Sequence, residues 1–147
     1  MNHLLPIFMK LENQPCLVVG GGKVAFQKIK QLLDSKAEVT VVALKVRENI
    51  QAMPVYINYS EYRGNDVKGY KLVIAATDDE STNRRIYEDA QKLGIPINVV
   101  DQPELCSFYM GSVYQDGDVK VAVSTNGKCP SFGKYLRDHI KNMSKGL

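Results

Sequence analysis

Short apolar runs alternate with longer segments of helical period over most of the chain. Cys16-Leu17-Val18-Val19 is a continuous apolar run that stops at Gly20-Gly21-Gly22, the pattern of a strand covered on both faces. From Lys23 to Ser35, apolar residues Val24, Ile29, Leu32 and Leu33 recur near i, i+4, i+7 spacing, which predicts a helix with one buried stripe. Glu38–Ala43 reads as a second β-branched strand, Pro54–Tyr59 as a shorter alternating one, and Leu72–Ala76 as a fourth that is again fully apolar. Thr77-Asp78-Asp79 supplies N-cap side chains for a helix that runs to about Leu93, where Gly94 stops it. Ile95–Val100 gives a fifth strand. Strands separated by helices of this length imply βαβ units, hence an α/β fold. Right-handed crossovers then make it a Rossmann-like, doubly wound parallel sheet.

After Asp101 the rhythm changes. Ser107–Tyr114 and Val119–Ser124 are two strand-like runs flanking Gln115-Asp116-Gly117-Asp118, and an Asp-Gly between such runs predicts a hairpin. Thr125-Asn126-Gly127-Lys128 is a further turn, and Pro130 opens a helix that carries Phe132, Tyr135, Leu136 and Ile140. A lone two-stranded ribbon is marginal in water. It must pack on the sheet or on another chain, and a second chain is the expected partner. The division is thus a sheet domain at 1–112 and a dimerisation ribbon with helix at 113–147.

Composition narrows the reading further. At 147 residues, with 44% apolar and 24% charged positions, the chain is an ordinary globular domain with at most a small appendage. A formal charge of +3, scattered along the chain, argues against nucleic acid as a partner. No apolar run reaches the ~18–20 residues of a membrane helix, so a membrane is not expected. The stretch Met1–Lys10 lacks the basic start and small-residue cleavage site of a signal peptide. The three cysteines, Cys16, Cys106 and Cys129, have neither CxxC spacing nor an even count. Reduced thiols in the cytoplasm are the simplest reading, with no metal site among them.

The strongest chemical signal is Gly20-Gly21-Gly22-Lys23-Val24-Ala25, a G-x-G-x-x-A run directly after a strand and opening a helix. Gly20 permits the tight turn, and Gly22 lets backbone approach a pyrophosphate. Ala25 allows close helix–strand packing, and the helix N-terminus offers free N–H groups to the anion. The acid expected about 20 residues further on, for the ribose hydroxyls, is missing. The second strand ends Val42-Ala43-Leu44-Lys45. Lys45 and Arg47 would even suit a 2′-phosphate, so the residues alone leave NAD and NADP open.

Asp101 ends the fifth strand, where ligands of open parallel sheets sit. Its carboxylate suits a general base or a metal ligand; the competing role is to cap Gln102-Pro103-Glu104. Thr77, Asp78 and Asp79 read first as helix caps, and His3 and His139 as surface or packing residues. Lys128, Lys134 and Arg137 form a basic group that reads first as a solvated face and alternatively suits a polycarboxylate.

Taken together, these residues resemble the precorrin-2 dehydrogenase family, also met as the N-terminal part of siroheme synthases. The resemblance is carried by Leu5–Phe8, Val18–Ala25, Ala37–Ala43, Val73–Asp79, Asn83-Arg84, Ile97–Asp101, Ser107-Phe108 and Val121–Pro130. It implies NAD-dependent oxidation of precorrin-2 to sirohydrochlorin, with Asp101 as the catalytic carboxylate. It further implies cofactor contacts at Lys23, Val24, Leu44, Lys45 and Thr77, beside the glycine turn. Asn98 and Ser124 fall on the substrate side, where Lys128 adds charge, and members form intertwined homodimers through the region after the sheet. Some members also insert iron, a bifunctional dehydrogenase–ferrochelatase being one alternative. Another is a non-catalytic NAD(H)-sensing Rossmann domain. The chain departs from the family pattern at Asn126-Gly127 and Cys129-Pro130, where Gly-Gly and Ser-Pro are usual. It also stops at Leu147, where longer members continue with a helical segment, so it is either a naturally short member or a truncated one.

Overall fold

The computed structural model describes residues 1–144; the last three positions of the expected C-terminal domain lie outside them. The strands β1 (Pro15–Val19), β2 (Glu38–Val42), β3 (Tyr56–Asn58), β4 (Leu72–Ala75) and β5 (Ile97–Val99) form one sheet in the order β3-β2-β1-β4-β5. Every pairing in it is parallel. Helices α1 (Lys23–Asp34) and α3 (Glu80–Lys92) make the long crossovers. The order reverses at β1, so the chain proceeds outward first through β2 and β3 and then through β4 and β5. That reversal creates a crevice beyond the carboxyl ends of β1 and β4, the switch point of a doubly wound sheet.

The apolar runs are buried on both faces as expected. Alternate residues Leu17, Val19, Val73, Ala75, Ile97 and Val99 join Ile86 and Ala90 of α3 in one core cluster. By the period of two, Cys16, Val18 and Ile74 point to the opposite face, and α1 contributes its own buried stripe of Ala25, Ile29 and Leu32. Val24 does not join that stripe. It is 39% exposed, because residues 25, 29 and 32 already define the inward face.

Two strand boundaries differ from the sequence expectation for clear physical reasons. β3 covers only Tyr56–Asn58, since Pro54 brings no N–H to a ladder. No strand starts at Ser107: the second run begins at Ser112. Instead Ser107 and Cys106 close the open edge of β5. The Ser107 Oγ accepts from Ile97 N–H at 2.8 Å and the Cys106 Sγ from Val99 N–H at 3.2 Å. Ser107 N–H in turn donates to the Ile97 carbonyl at 2.8 Å. Side chains thus satisfy backbone groups that would otherwise offer a pairing edge. The one-turn helix α2 (Glu48–Gln51) and two 3₁₀ turns, Gly64–Val67 and Pro103–Leu105, are too short to leave a periodic signature.

The chain divides into two units, Phe8–Phe108 and a second one made of residues 1–7 with Tyr109 onward. In the second, β6 (Ser112–Asp116) pairs antiparallel with β7 (Val119–Val123). The connecting loop is Gly117-Asp118, with Gly117 at φ +57, the position a II′ turn gives to glycine. Helix α4 (Pro130–Ser144) packs on this ribbon through the buried Gly133, whose added Cβ would meet Ser112 Oγ at 3.4 Å. Phe132 and Tyr135 of this helix are 50% and 62% exposed in the single chain. Among the described residues no helix is long and apolar enough to cross a membrane.

Burial makes one consequence of this core measurable. Burial pushes the Cys16 thiol from 9.0 up to about 11. The unfolded chain therefore loses that proton near pH 9 while the folded chain keeps it. The folded form binds more protons between these values, so stability falls as pH rises from about 9 to 11, by about 2–3 kcal/mol for this group. Denaturant unfolding of wild type and Cys16→Ala checks it: the variant loses that part of the alkaline slope.

Candidate functional site

The glycine turn follows β1 directly and each of its three residues answers to a different constraint. Gly20 has φ +130, and a Cβ there would lie 2.2 Å from the Ala76 carbonyl oxygen. A Cβ on Gly21 would lie 2.1 Å from the Lys45 carbonyl oxygen, and the Gly21 carbonyl accepts from Arg47 N–H at 3.0 Å. Gly21, the variable position of the fingerprint, is therefore fixed by the loop after β2. A Cβ on Gly22 meets nothing within 4 Å. Nothing in the protein requires glycine there, so the space is open to a ligand. Gly22 is also the N-cap of α1 and brings no side-chain cap. The first-turn N–H groups of Lys23 and Val24 accordingly have no intrahelical acceptor and suit an anion.

An open cleft of about 890 Å³ surrounds this turn. Its walls come from the carboxyl ends of β1, β2, β4 and β5 and include Gly20, Gly22, Lys23, Val24, Leu44, Lys45, Thr77 and Asp101. Seven of the eight positions expected for the cofactor thus line one cavity; the eighth, Ala25, is buried beneath it in α1. The loop 43–47 after β2 brings Leu44, Lys45 and Arg47 to the wall and no carboxylate. Tyr62 and Arg85 also line it, as does Glu61. No local sequence signal marked these three.

The corner after β4 is held by Asn83, which is 4% exposed. Its Oδ1 accepts from Thr77 Oγ at 2.6 Å and from Thr77 N–H at 3.2 Å, and its Nδ2 donates to the Thr77 carbonyl at 3.1 Å. Thr77 is thereby locked at the cleft wall. Asp79 caps α3, accepting from Ser81 N–H at 3.1 Å, and the hydroxyls of Thr82 and Ser81 hold its carboxyl below the usual range. Replacing Asn83 with Leu keeps the volume but strands these polar groups, which costs about 1–3 kcal/mol. The melting temperature of Asn83→Leu is expected to fall by several degrees.

Asp101 follows β5 in a left-handed conformation, φ +63. It is exposed in the cleft. The turn it precedes has no side-chain cap bond, and among the described residues its carboxylate has no hydrogen-bond or salt-bridge partner. The capping role weighed against catalysis is not used. Lys28 on α1 is half-buried, and burial lowers its ammonium pKa, opposed in part by the nearby Cys106 and Asp101 charges. No local sequence signal marks Lys28.

The expected substrate residues are placed differently. Asn98 is 6% exposed and its Nδ2 donates to the Phe108 carbonyl at 3.0 Å. Ser124 and Lys128 belong to the other unit, where Ser124 Oγ accepts from Asn126 N–H at 3.2 Å and Lys128 is exposed. Arg137, grouped with Lys128 by sequence, is occupied by Asp138 at 3.0 Å. His139 stacks on Tyr135. Among the described residues no group of three or more His, Cys, Asp or Glu side chains is arranged to hold a metal ion.

A glycine turn on a helix N-terminus, at the switch point of a parallel sheet, defines a dinucleotide-binding domain of the Rossmann type. Comparison with known proteins agrees. The family model described as "Putative NAD(P)-binding" matches residues 7–112, and the chain belongs to that NAD(P)-binding family. A second model, "Sirohaem biosynthesis protein central", matches residues 116–143. The siroheme synthase of Methylococcus capsulatus is 41% identical over 141 residues, covering 93% of this chain and 30% of that protein. That of Thioalkalivibrio sulfidiphilus is 43% identical over 146 residues, covering 93% and 29%. The chain thus spans under a third of the curated relatives it matches. Among solved structures, "SirC, precorrin-2 dehydrogenase" superposes with a TM-score of 0.79 over 95% of this chain and 71% of that one, at 22% identity. That likeness establishes the shared fold.

Proposed function

We propose that the chain is an NAD-dependent dehydrogenase that oxidises precorrin-2 to sirohydrochlorin on the way to siroheme. The observation that carries the reading is the unpartnered Asp101 carboxylate in the same cleft as the glycine turn. The siroheme synthase relatives support the substrate class. In the reaction, precorrin-2 and NAD+ give sirohydrochlorin, NADH and one proton. When bound, NAD+ supplies the hydride acceptor.

The residues of the chain do the rest. The N–H groups at the start of α1 hold the pyrophosphate, and Gly22 leaves the room for it. Leu44 and Lys45 border the adenosine ribose, while Thr77, fixed by Asn83, borders the far side of the cleft. Asp101 Oδ takes the proton as the hydride leaves the macrocycle. Asn98 shapes the substrate side through the Phe108 backbone, and Ser124 and Lys128 meet the macrocycle and its carboxylates. The exposed Phe132 and Tyr135 of α4 support a homodimer, and the protein works in the cytoplasm.

Two anaerobic incubations and a binding measurement test this. Precorrin-2 with NAD+ is expected to yield NADH and the sirohydrochlorin spectrum. Sirohydrochlorin with ferrous iron and no NAD+ yields siroheme only if the chain is also a chelatase. Tight NADH binding with no turnover would instead make the domain a sensor.

A further inference from the structure

Arg85 is the cleft residue whose surroundings the reaction above leaves unexplained. It sits on α3, lines the cleft and is exposed. Its neighbour Arg84 is paired with Glu88 at 3.8 Å, whereas Arg85 forms no ion pair among the described residues. Its guanidinium lies over the ring of Tyr62, 5.6 Å from the centroid. Tyr62 is itself immobilised: it is 6% exposed, and its hydroxyl donates to Asp89 Oδ2 at 2.7 Å. A buried aromatic ring anchored at its far end therefore presents a free, planar cation to the cleft. Arginine held in this way suits stacking on, or hydrogen bonding to, a planar or anionic ligand.

The sheet order says which part of the ligand lies there. Tyr62 follows β3, the strand beyond β2 at the edge of the sheet. Although α3 itself runs from β4 to β5, the contacts of Arg85 and Asp89 with Tyr62 set this face of the helix against the segment after β3. In doubly wound folds the end of β2 meets the adenosine ribose, and the β4–β5 side takes the reacting ring. Asp101 occupies that second side, after β5. We infer that Arg85, backed by the ring of Tyr62, is a binding residue for the adenosine half of the dinucleotide, with Tyr62 as its positioning residue. The inference rests on the dinucleotide reading but not on the identity of the oxidised substrate.

The test is calorimetric titration of the full chain with NAD+ and with ADP-ribose, which keeps the adenosine half and lacks the nicotinamide. Arg85→Ala and Arg85→Gln are expected to weaken both ligands by the same factor, about 3- to 30-fold, with the melting temperature of the unliganded protein unchanged. Tyr62→Leu is expected to weaken ADP-ribose when Arg85 is present and to add nothing in the Arg85→Ala background, the signature of action through the arginine. Unchanged ADP-ribose affinity in the Arg85 variants overturns the inference, as do strictly additive effects of the two substitutions for the role of Tyr62. A wild-type chain that binds neither ligand overturns the dinucleotide reading itself, and this inference with it.

Discussion

Asp101→Asn is expected to lower kcat for precorrin-2 oxidation by about 10²- to 10⁴-fold, the usual contribution of a positioned general base. NAD+ affinity and melting temperature are expected to stay near wild type. The choice of asparagine matters. Asp101 has φ +63, a region that Asp and Asn enter far more readily than other non-glycine residues. Alanine would add backbone strain of its own, and a loss of activity would then mix geometry with chemistry. Asparagine keeps the conformation and the shape and removes only the proton-accepting charge. The carboxylate has no hydrogen-bond or salt-bridge partner among the described residues, so removing its charge breaks no such bond. Steady-state kinetics with a KM-against-kcat split reads the result. A loss confined to kcat agrees with a base; an equal loss in NAD+ affinity would place Asp101 in cofactor binding instead.

The glycine turn gives the second large effect, and its three residues separate cleanly. Gly22→Ala is expected to fold with near-normal stability, because its Cβ meets nothing within 4 Å. Its NAD+ affinity is expected to fall about tenfold or more, since the methyl group fills the approach of the pyrophosphate. Gly20→Ala and Gly21→Ala behave in the opposite way. Each places a Cβ within 2.2 Å of a backbone carbonyl oxygen, which no side-chain rotation relieves, and Gly20 adds a φ of +130. These two are expected to destabilise the fold by about 1–3 kcal/mol or more. Thermal melts and NAD+ titrations of the three variants, side by side, separate the ligand-facing glycine from the two structural ones.

How much of this was readable in the residues depends on how local each signal is. The central strands were legible because Cys16–Val19 and Leu72–Ala75 are short, apolar at every position and rich in β-branched residues, the pattern of a sheet covered on both faces. The glycine fingerprint was legible because it needs only one strand, one turn and one helix. The hairpin was legible from Asp116-Gly117, although the positive φ falls on the first loop residue. What stayed hidden depends on residues distant in sequence. Gly21 looked variable, and its constraint comes from the Lys45 carbonyl on another loop. Tyr62, Arg85 and Asp89 meet only when α3 lies over the segment after β3. Asn83 matched the family pattern, but its three bonds to Thr77 could not be read from it. Ser107 looked like the start of a strand, because a residue that closes a sheet edge with its side chain has the same local pattern as one that extends a strand.

The most direct measurement is an anaerobic single turnover of the wild-type chain, with limiting precorrin-2 and excess NAD+, following NADH and the macrocycle spectrum together. One NADH is expected for each precorrin-2 consumed, in step with the appearance of sirohydrochlorin. Macrocycle oxidation without NADH, or no oxidation by a protein that demonstrably binds NAD+, would contradict it.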